Sequence, residues 1–176
     1  MASSQTKRTA GSCDPVAPAL HHLYDRHAQE LSVLMGWFFL RHLNHLYRTF
    51  NGDLLMAIVL GEIAHHNICH HYSSGKPRHG MRAAHGVAPE VLAHLEPCNA
   101  FSLSAATGIP RETCRRKVQA LVKQGLVVRQ PKGGCAIARH IGPHFRDTNR
   151  QTFATVMEFI RDVQTILNRP IQVSRK

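Results

Sequence analysis

At 176 residues the chain has room for one domain of ordinary size, or for a small domain with helical extensions. Its 43% hydrophobic content is ordinary for a soluble globular protein, and no run approaches the roughly 18 apolar residues of a membrane helix, which argues against a membrane partner. Lys and Arg number 22 against 11 Asp and Glu, a formal charge of +11, and the usual physical reason for such an excess is a polyanion.

The five cysteines, Cys13, Cys69, Cys98, Cys114 and Cys135, are odd in number, widely spaced and without a Cys-x-x-Cys pair. That pattern argues against a disulfide scaffold or a four-cysteine zinc site and fits a reducing cytoplasm. No nucleotide loop, nucleophile elbow or paired-carboxylate arrangement stands in a matching context, so the chain reads as a non-enzyme without a cofactor. Residues 1–15 carry bases and no acid before Asp14 and lack the apolar stretch of a secretory signal, which predicts a disordered basic tail.

Residues 16–50 form an N-terminal helical region. Leu20, Leu23, Tyr24, His27, Leu31, Leu34 and Phe38 step by about three and four, and Leu43, Leu46, Tyr47 and Phe50 prolong the stripe. Gly36 is expected to divide it into two helices, since Gly weakens a helix interior by about 1 kcal/mol. The aromatic cluster Trp37 to Leu40 fits a core or a dimer seam better than a ligand pocket. Asn51, Gly52 and Asp53 then mark a break and a cap.

From Asp53 to about His71 runs a helix that is apolar on nearly every side in its first half, as a central, buried helix is. Its second half belongs to a histidine-rich stretch in a chain with 14 histidines. His66 and His70 are four apart, as are His65 and Cys69, so potential ligands share one helix face, with Glu62 one turn earlier. Glu62, His66, Cys69 and His70 are therefore the weak metal candidates. No further Cys/His motif completes the set, and the plainer reading is a core His66 paired with Glu62, so no metal is expected. The connection from Tyr72 to Phe101 is too long for an ordinary loop. It reads as a basic insertion at about 73–100, with a short helix over Pro89 to Leu95.

The stretch from Ser102 to Ala138 reads as a short helix, a tight turn, a second helix and a β-hairpin. Ser102 or Ser104 can cap a short helix over Leu103 to Thr107, and Gly108 supplies the turn. Pro110 suits a first helical position, Glu112 favours the first turn, and Gly125 terminates a helix of about 110–124. Cys114, Val118, Leu121 and Val122 form its buried face. Glu112, Thr113, Arg115, Arg116 and Gln119 point away, and Arg and Gln are side chains that read guanine and adenine edges. Two strand-like runs, LVVRQ and CAIAR, are joined by Pro131, Lys132, Gly133 and Gly134, a hairpin signal. Between Gly108 and His140 eight basic residues stand against Glu112 alone, a surplus of seven where a solvated face would mix acids with bases.

The run GIPRETCRRKVQALVKQGLVVR resembles the winged-helix cores of bacterial transcription regulators of the MarR, GntR and Crp types. The resemblance covers about Phe101 to Arg139, with Cys114 where such helices more often carry Val. It implies a major-groove recognition helix carrying Thr113, Arg115 and Arg116, beside a wing at Arg129 to Cys135. The candidate DNA-contacting residues are Ser102, Ser104, Arg111, Glu112, Thr113, Arg115, Arg116, Gln119, Arg129 and Lys132.

Beyond the hairpin, HIGPHFRDTN reads as a turn region in which Gly142 and Pro143 break any regular element. Asp147 or Thr148 then starts a last helix, about 147–169, whose Phe153, Val156, Ile160, Val163 and Leu167 form an a/d-type seam. The expected fold is thus mainly α with a small β-hairpin: a winged helix-turn-helix over 52–140, flanked by N- and C-terminal amphipathic helices. The surplus apolar surface of those helices implies a homodimer, with packing inside one chain as the alternative. The functional expectation is a cytoplasmic, dimeric, sequence-specific regulator that binds double-stranded DNA. The alternatives are a winged helix that docks an acidic protein, and a regulator that also senses a metal or a small-molecule effector.

Overall fold

The computed structural model describes residues 16–73, 95–131 and 133–168. In chain order lie α1 (Val16–Arg26), α2 (Ala28–Thr49), α3 (Leu54–Ser73), α4 (Ala100–Thr107), α5 (Arg111–Lys123), β1 (Val127–Arg129), β2 (Cys135–Ile137), α6 (Ile141–His144) and α7 (Arg146–Leu167). Among the described residues the chain is mainly helical with a two-stranded antiparallel sheet, the class its sequence predicts. The tail at 1–15, most of the basic insertion, the short helix expected from Pro89, and Lys132 lie outside the described residues. Two compact units are present, one of residues 16–39 with 156–168, the other Leu40–Thr155.

In the first unit Leu31 and Ile166 are buried, and the Phe38 ring packs on Phe159 with centroids 4.6 Å apart. The division expected at Gly36 is absent: α2 passes through it unbroken, and the interruption falls at His27. A single glycine costs a helix no more than about 1 kcal/mol, which 22 residues of continuous hydrogen bonding absorb. Val33, Trp37, Phe39, Met157 and Ile160 remain exposed, so this unit leaves apolar surface uncovered.

The second unit begins where α2 stops. Asn51 takes a left-handed conformation (φ 51°), and the Gly52 N–H closes back on the Tyr47 carbonyl at 2.7 Å. Asn tolerates this geometry better than most residues, and the closure satisfies carbonyls left open at a helix end. Asp53 then caps α3, its Oδ1 accepting the Met56 N–H at 3.0 Å. Along α3 the buried positions are Met56, Val59, Leu60, Ile63 and Asn67. They fall on one face at steps of three and four. Apolarity all round does not make the helix buried all round, for Leu55 and Ile58 are exposed, Ile58 at 49%.

The basic insertion ends earlier than its composition implies. Cys98 already pairs antiparallel with Cys135 as an isolated bridge on the far side of β2, and Asn99 caps α4. Neither Ser102 nor Ser104 is the cap: Asn99 Oδ1 accepts the N–H groups of Phe101 and Ser102 at 2.9 and 3.0 Å, so the helix starts at Ala100 rather than Leu103. Gly108 at φ 72° closes α4, its N–H bonding the Ser104 carbonyl. Pro110 stands just outside α5, not in it, with ψ at 136°. At the far end Gly125 (φ 74°) lets the Leu126 N–H reach the Leu121 carbonyl at 3.0 Å and turns the chain into β1. Val127 faces Ile137, Val128 faces Ala136, and Arg129 faces Cys135.

Helices α3, α4 and α5 pack on one another, α3 on β2 and α5 on β1. Val59, Ile63, Leu103, Cys114, Leu121 and Val127 form the fully enclosed centre. After the hairpin, α6 occupies the stretch expected to be a turn. Pro143 is the third residue of this single helical turn, where its N–H would have no intrahelical partner in any case. Phe145, next in sequence, stacks on Phe50 with centroids 5.7 Å apart, and α7 follows with Asp147 in its first turn.

Candidate nucleic-acid interface

Helix α5 divides cleanly. Cys114, Val118 and Leu121 are buried, whereas Arg111, Glu112, Arg115, Arg116 and Gln119 are exposed and Thr113 is half-buried. This is the split that the 3.6-residue period requires. Arg115 forms a two-point pair with Glu112, Nε to Oε2 and Nη2 to Oε1, both at 2.7 Å. The hydrogen bonds from Arg115 hold the Glu112 carboxyl below its usual range, and the carboxylate raises the Arg115 guanidinium in turn. The pair fixes the plane of the guanidinium on the outer face, a geometric rather than an energetic effect at so exposed a site.

Arg129, at the end of β1, is exposed. Arg115 and Arg129, from different elements of the chain, line one small cavity of about 80 Å³ together with Asn99, Val118, Gly134, Cys98 and Cys135. The fold thus brings an α5 arginine and a hairpin arginine to one place. Ser102 and Ser104 are half-buried on α4, and the Ser102 hydroxyl is engaged by Asn99 at 3.4 Å. Lys132 lies outside the described residues.

Not all of the surplus charge faces outward. Lys117 Nζ binds Asp53 Oδ2 at 2.5 Å and ties α5 to the cap of α3. Burial works to raise the Asp53 carboxyl, but the hydrogen bond from Lys117, the Met56 N–H and the Lys117 charge outweigh it and hold it below its usual value.

Three residues without a place among the expected site residues organise this region. Asn67 is a buried amide, 2% exposed. Its Nδ2 donates to the Glu96 carbonyl at 2.5 Å, and its Oδ1 accepts the Ile137 N–H at 2.9 Å, so it joins α3, the 95–98 segment and β2. Cys98 and Cys135, both 2% exposed, bring their sulfur atoms to 3.8 Å. The capping role of Asn99 had a cue, since Asn is among the strongest cap residues; the other contacts join positions too far apart for any local pattern.

Beside α3 lies a cavity of about 530 Å³, lined mainly by apolar side chains that include Leu46, Phe50, Ile58, Ile68, Ile137 and Phe145, with His42, Thr148, Asn149 and Thr152 supplying polar atoms. Of the weak metal candidates, Glu62 and His66 are half-buried, and the side chains of Cys69 and His70 lie outside those described. Among the described residues no three His, Cys, Asp or Glu side chains converge as a metal site would require, and no helix is long and apolar enough to cross a membrane. No protein-family profile, curated protein or solved structure matches this chain.

Proposed function

We propose that the chain is a sequence-specific, double-stranded DNA-binding regulator of transcription that acts in the cytoplasm as a homodimer. In this reading α3, α4, α5 and the β1–β2 hairpin form a winged helix-turn-helix, with α5 as recognition helix and the hairpin as wing. The observation that carries it is the two-sidedness of α5: Cys114, Val118 and Leu121 anchor the helix while Arg111, Arg115, Arg116 and Gln119 stand in solvent, and Arg129 joins Arg115 at the same cavity. A major groove about 12 Å wide admits a helix so presented, and a planar guanidinium held by Glu112 suits two-point recognition of guanine. The dimer is supported by the exposed apolar residues of α2 and α7.

Selection of bound sequences from a random duplex pool tests the proposal. The expected product is an inverted repeat with half-sites about one helical turn apart. Arg115→Ala or Arg116→Ala should then cost about 1–3 kcal/mol and relax preference at one base pair, whereas Lys132→Ala should weaken all sequences alike and flatten the salt dependence by about one unit. Sequence-blind binding that neither arginine affects would sink the proposal and favour docking to an acidic protein instead. A ligand-responsive form of the same function is supported by the cavity of about 530 Å³, a size that holds small organic molecules.

A further inference from the structure

Cys98 and Cys135 meet in a way that free buried cysteines need not. The Cys98 N–H bonds the Cys135 carbonyl at 3.0 Å, and the Cys135 N–H bonds the Cys98 carbonyl at 2.7 Å. Residues that exchange both bonds in an antiparallel pair have Cα atoms about 5.5 Å apart, within the range most disulfides span. The sulfur atoms are 3.8 Å apart, so a bond between them needs side-chain rotation and little backbone movement. Both cysteines also line the small cavity with Arg115 and Arg129. Its volume of about 80 Å³ exceeds the roughly 30 Å³ share of one water, room for a molecule of a few heavy atoms.

We infer that Cys98 and Cys135 form a modification site, a dithiol that a small hydroperoxide entering this cavity converts to a disulfide. The two thiols are unequal. Cys135 is shifted toward its thiolate by the hydrogen bond from Cys98 and by the nearby Arg129 charge, against the effect of burial, while Cys98 is held protonated by that hydrogen bond and by burial. Cys135 is therefore the nucleophile. Its sulfur attacks the peroxide, the O–O bond breaks, and the departing oxygen takes up a proton to leave as alcohol or water, with Cys135 as sulfenic acid. The Cys98 sulfur then attacks the Cys135 sulfur, and the hydroxyl leaves with the Cys98 proton as a second molecule, water. Two thiols are oxidised by two electrons and one peroxide is reduced. The product would join the loop end of the hairpin to the segment that caps α4, at the cavity that Arg115 and Arg129 line. This chemistry is independent of the DNA reading.

The test treats the folded, full-length, reduced chain with hydrogen peroxide, blocks the remaining thiols with an alkylating agent and maps the cysteines by peptide mass spectrometry. The expected result is a Cys98–Cys135 crosslinked peptide, two alkylated thiols fewer, and full reversal by a dithiol reductant. In the Cys98→Ser variant, Cys135 should stop at sulfenic acid and be captured by a 1,3-dione probe. The inference is overturned if other cysteines of the wild-type chain oxidise while Cys98 and Cys135 stay free, or if the crosslink forms only in urea. The wild-type measurement decides the question even where a serine variant does not fold.

Discussion

Asn67→Ala should be among the most damaging polar substitutions in the chain. The side chain lies between α3, the 95–98 segment and β2, and its loss leaves the Ile137 N–H and the Glu96 carbonyl without their partner. Ile137 is buried, so its N–H bears the whole desolvation penalty, about 1–3 kcal/mol. Glu96 is exposed and its carbonyl can turn toward water, adding about 1 kcal/mol. The expected loss is thus about 2–4 kcal/mol, a large part of the roughly 5–15 kcal/mol that holds a typical domain. Urea unfolding followed by circular dichroism measures it; with a slope of about 1–3 kcal/mol per molar, the midpoint should fall by about 1 M or more. Asn67→Asp sharpens the test. The carboxylate still accepts from Ile137 but turns negative charge on the Glu96 carbonyl, and burial raises its folded pKa above the unfolded value of about 3.9. Its penalty is then full above the folded pKa and fades as pH falls through it, because the protonated acid can donate to Glu96. A loss below about 1 kcal/mol for Asn67→Ala, or an Asn67→Asp deficit that does not shrink on acidification, would refute the reasoning.

Lys117→Met should remove about 1 kcal/mol at neutral pH and nothing once Asp53 is protonated. Because the folded pKa of Asp53 is depressed, its contribution is complete above about 3.9 and is lost as pH falls through the lower folded value, which urea titrations at two pH values would show. Gly134→Ala meets the Cys98 carbonyl and the Pro97 side chain at 3.0 Å as well as an unfavourable φ of +83°, whereas Gly133→Ala meets only the φ. The first should cost at least about 1 kcal/mol more than the second; equal melting temperatures would contradict the crowding. Phe153→Glu with Ile160→Glu alters two exposed positions on α7, so it should yield a helical monomer where the parent chain scatters light as a dimer. A parent chain that is monomeric at micromolar concentration removes the dimer and the inverted repeat together.

What could be read from the sequence was what each segment dictates by itself. The buried face of α5, the left-handed glycines at Gly108 and Gly125, and the hairpin follow from periodicity and turn chemistry confined to a few neighbours. The errors were also local, and each was a competition between two valid cues. Asn99 and Ser102 both suit a cap, and the chain takes the earlier one because Cys98 has just left the sheet. Gly142 and Pro143 oppose a long helix but not a single turn, and Gly36 weakens a helix without ending it.

The pairings that hold the site together lie beyond such cues. Asp53 and Lys117 are 64 positions apart, Asn67 and Ile137 are 70 apart, and Cys98 and Cys135 are 37 apart. None is marked by a period: the first two depend on where α3 and its cap meet α5 and β2, and the third on a bridge between the segment before α4 and β2. This matters for the charge argument itself. A count along the sequence assigns Lys117 to a surface that meets a polyanion, but the side chain faces inward to Asp53, and Arg115 is already matched by Glu112. The outward set on α5 narrows to Arg111, Arg116 and Lys123, with Arg115 braced rather than free-swinging. Fewer mobile cations mean fewer nonspecific phosphate contacts and a shallower dependence on salt, while a braced guanidinium favours contacts in one fixed plane. If the proposed DNA reading holds, this arrangement favours discrimination between sequences over tight binding to any of them.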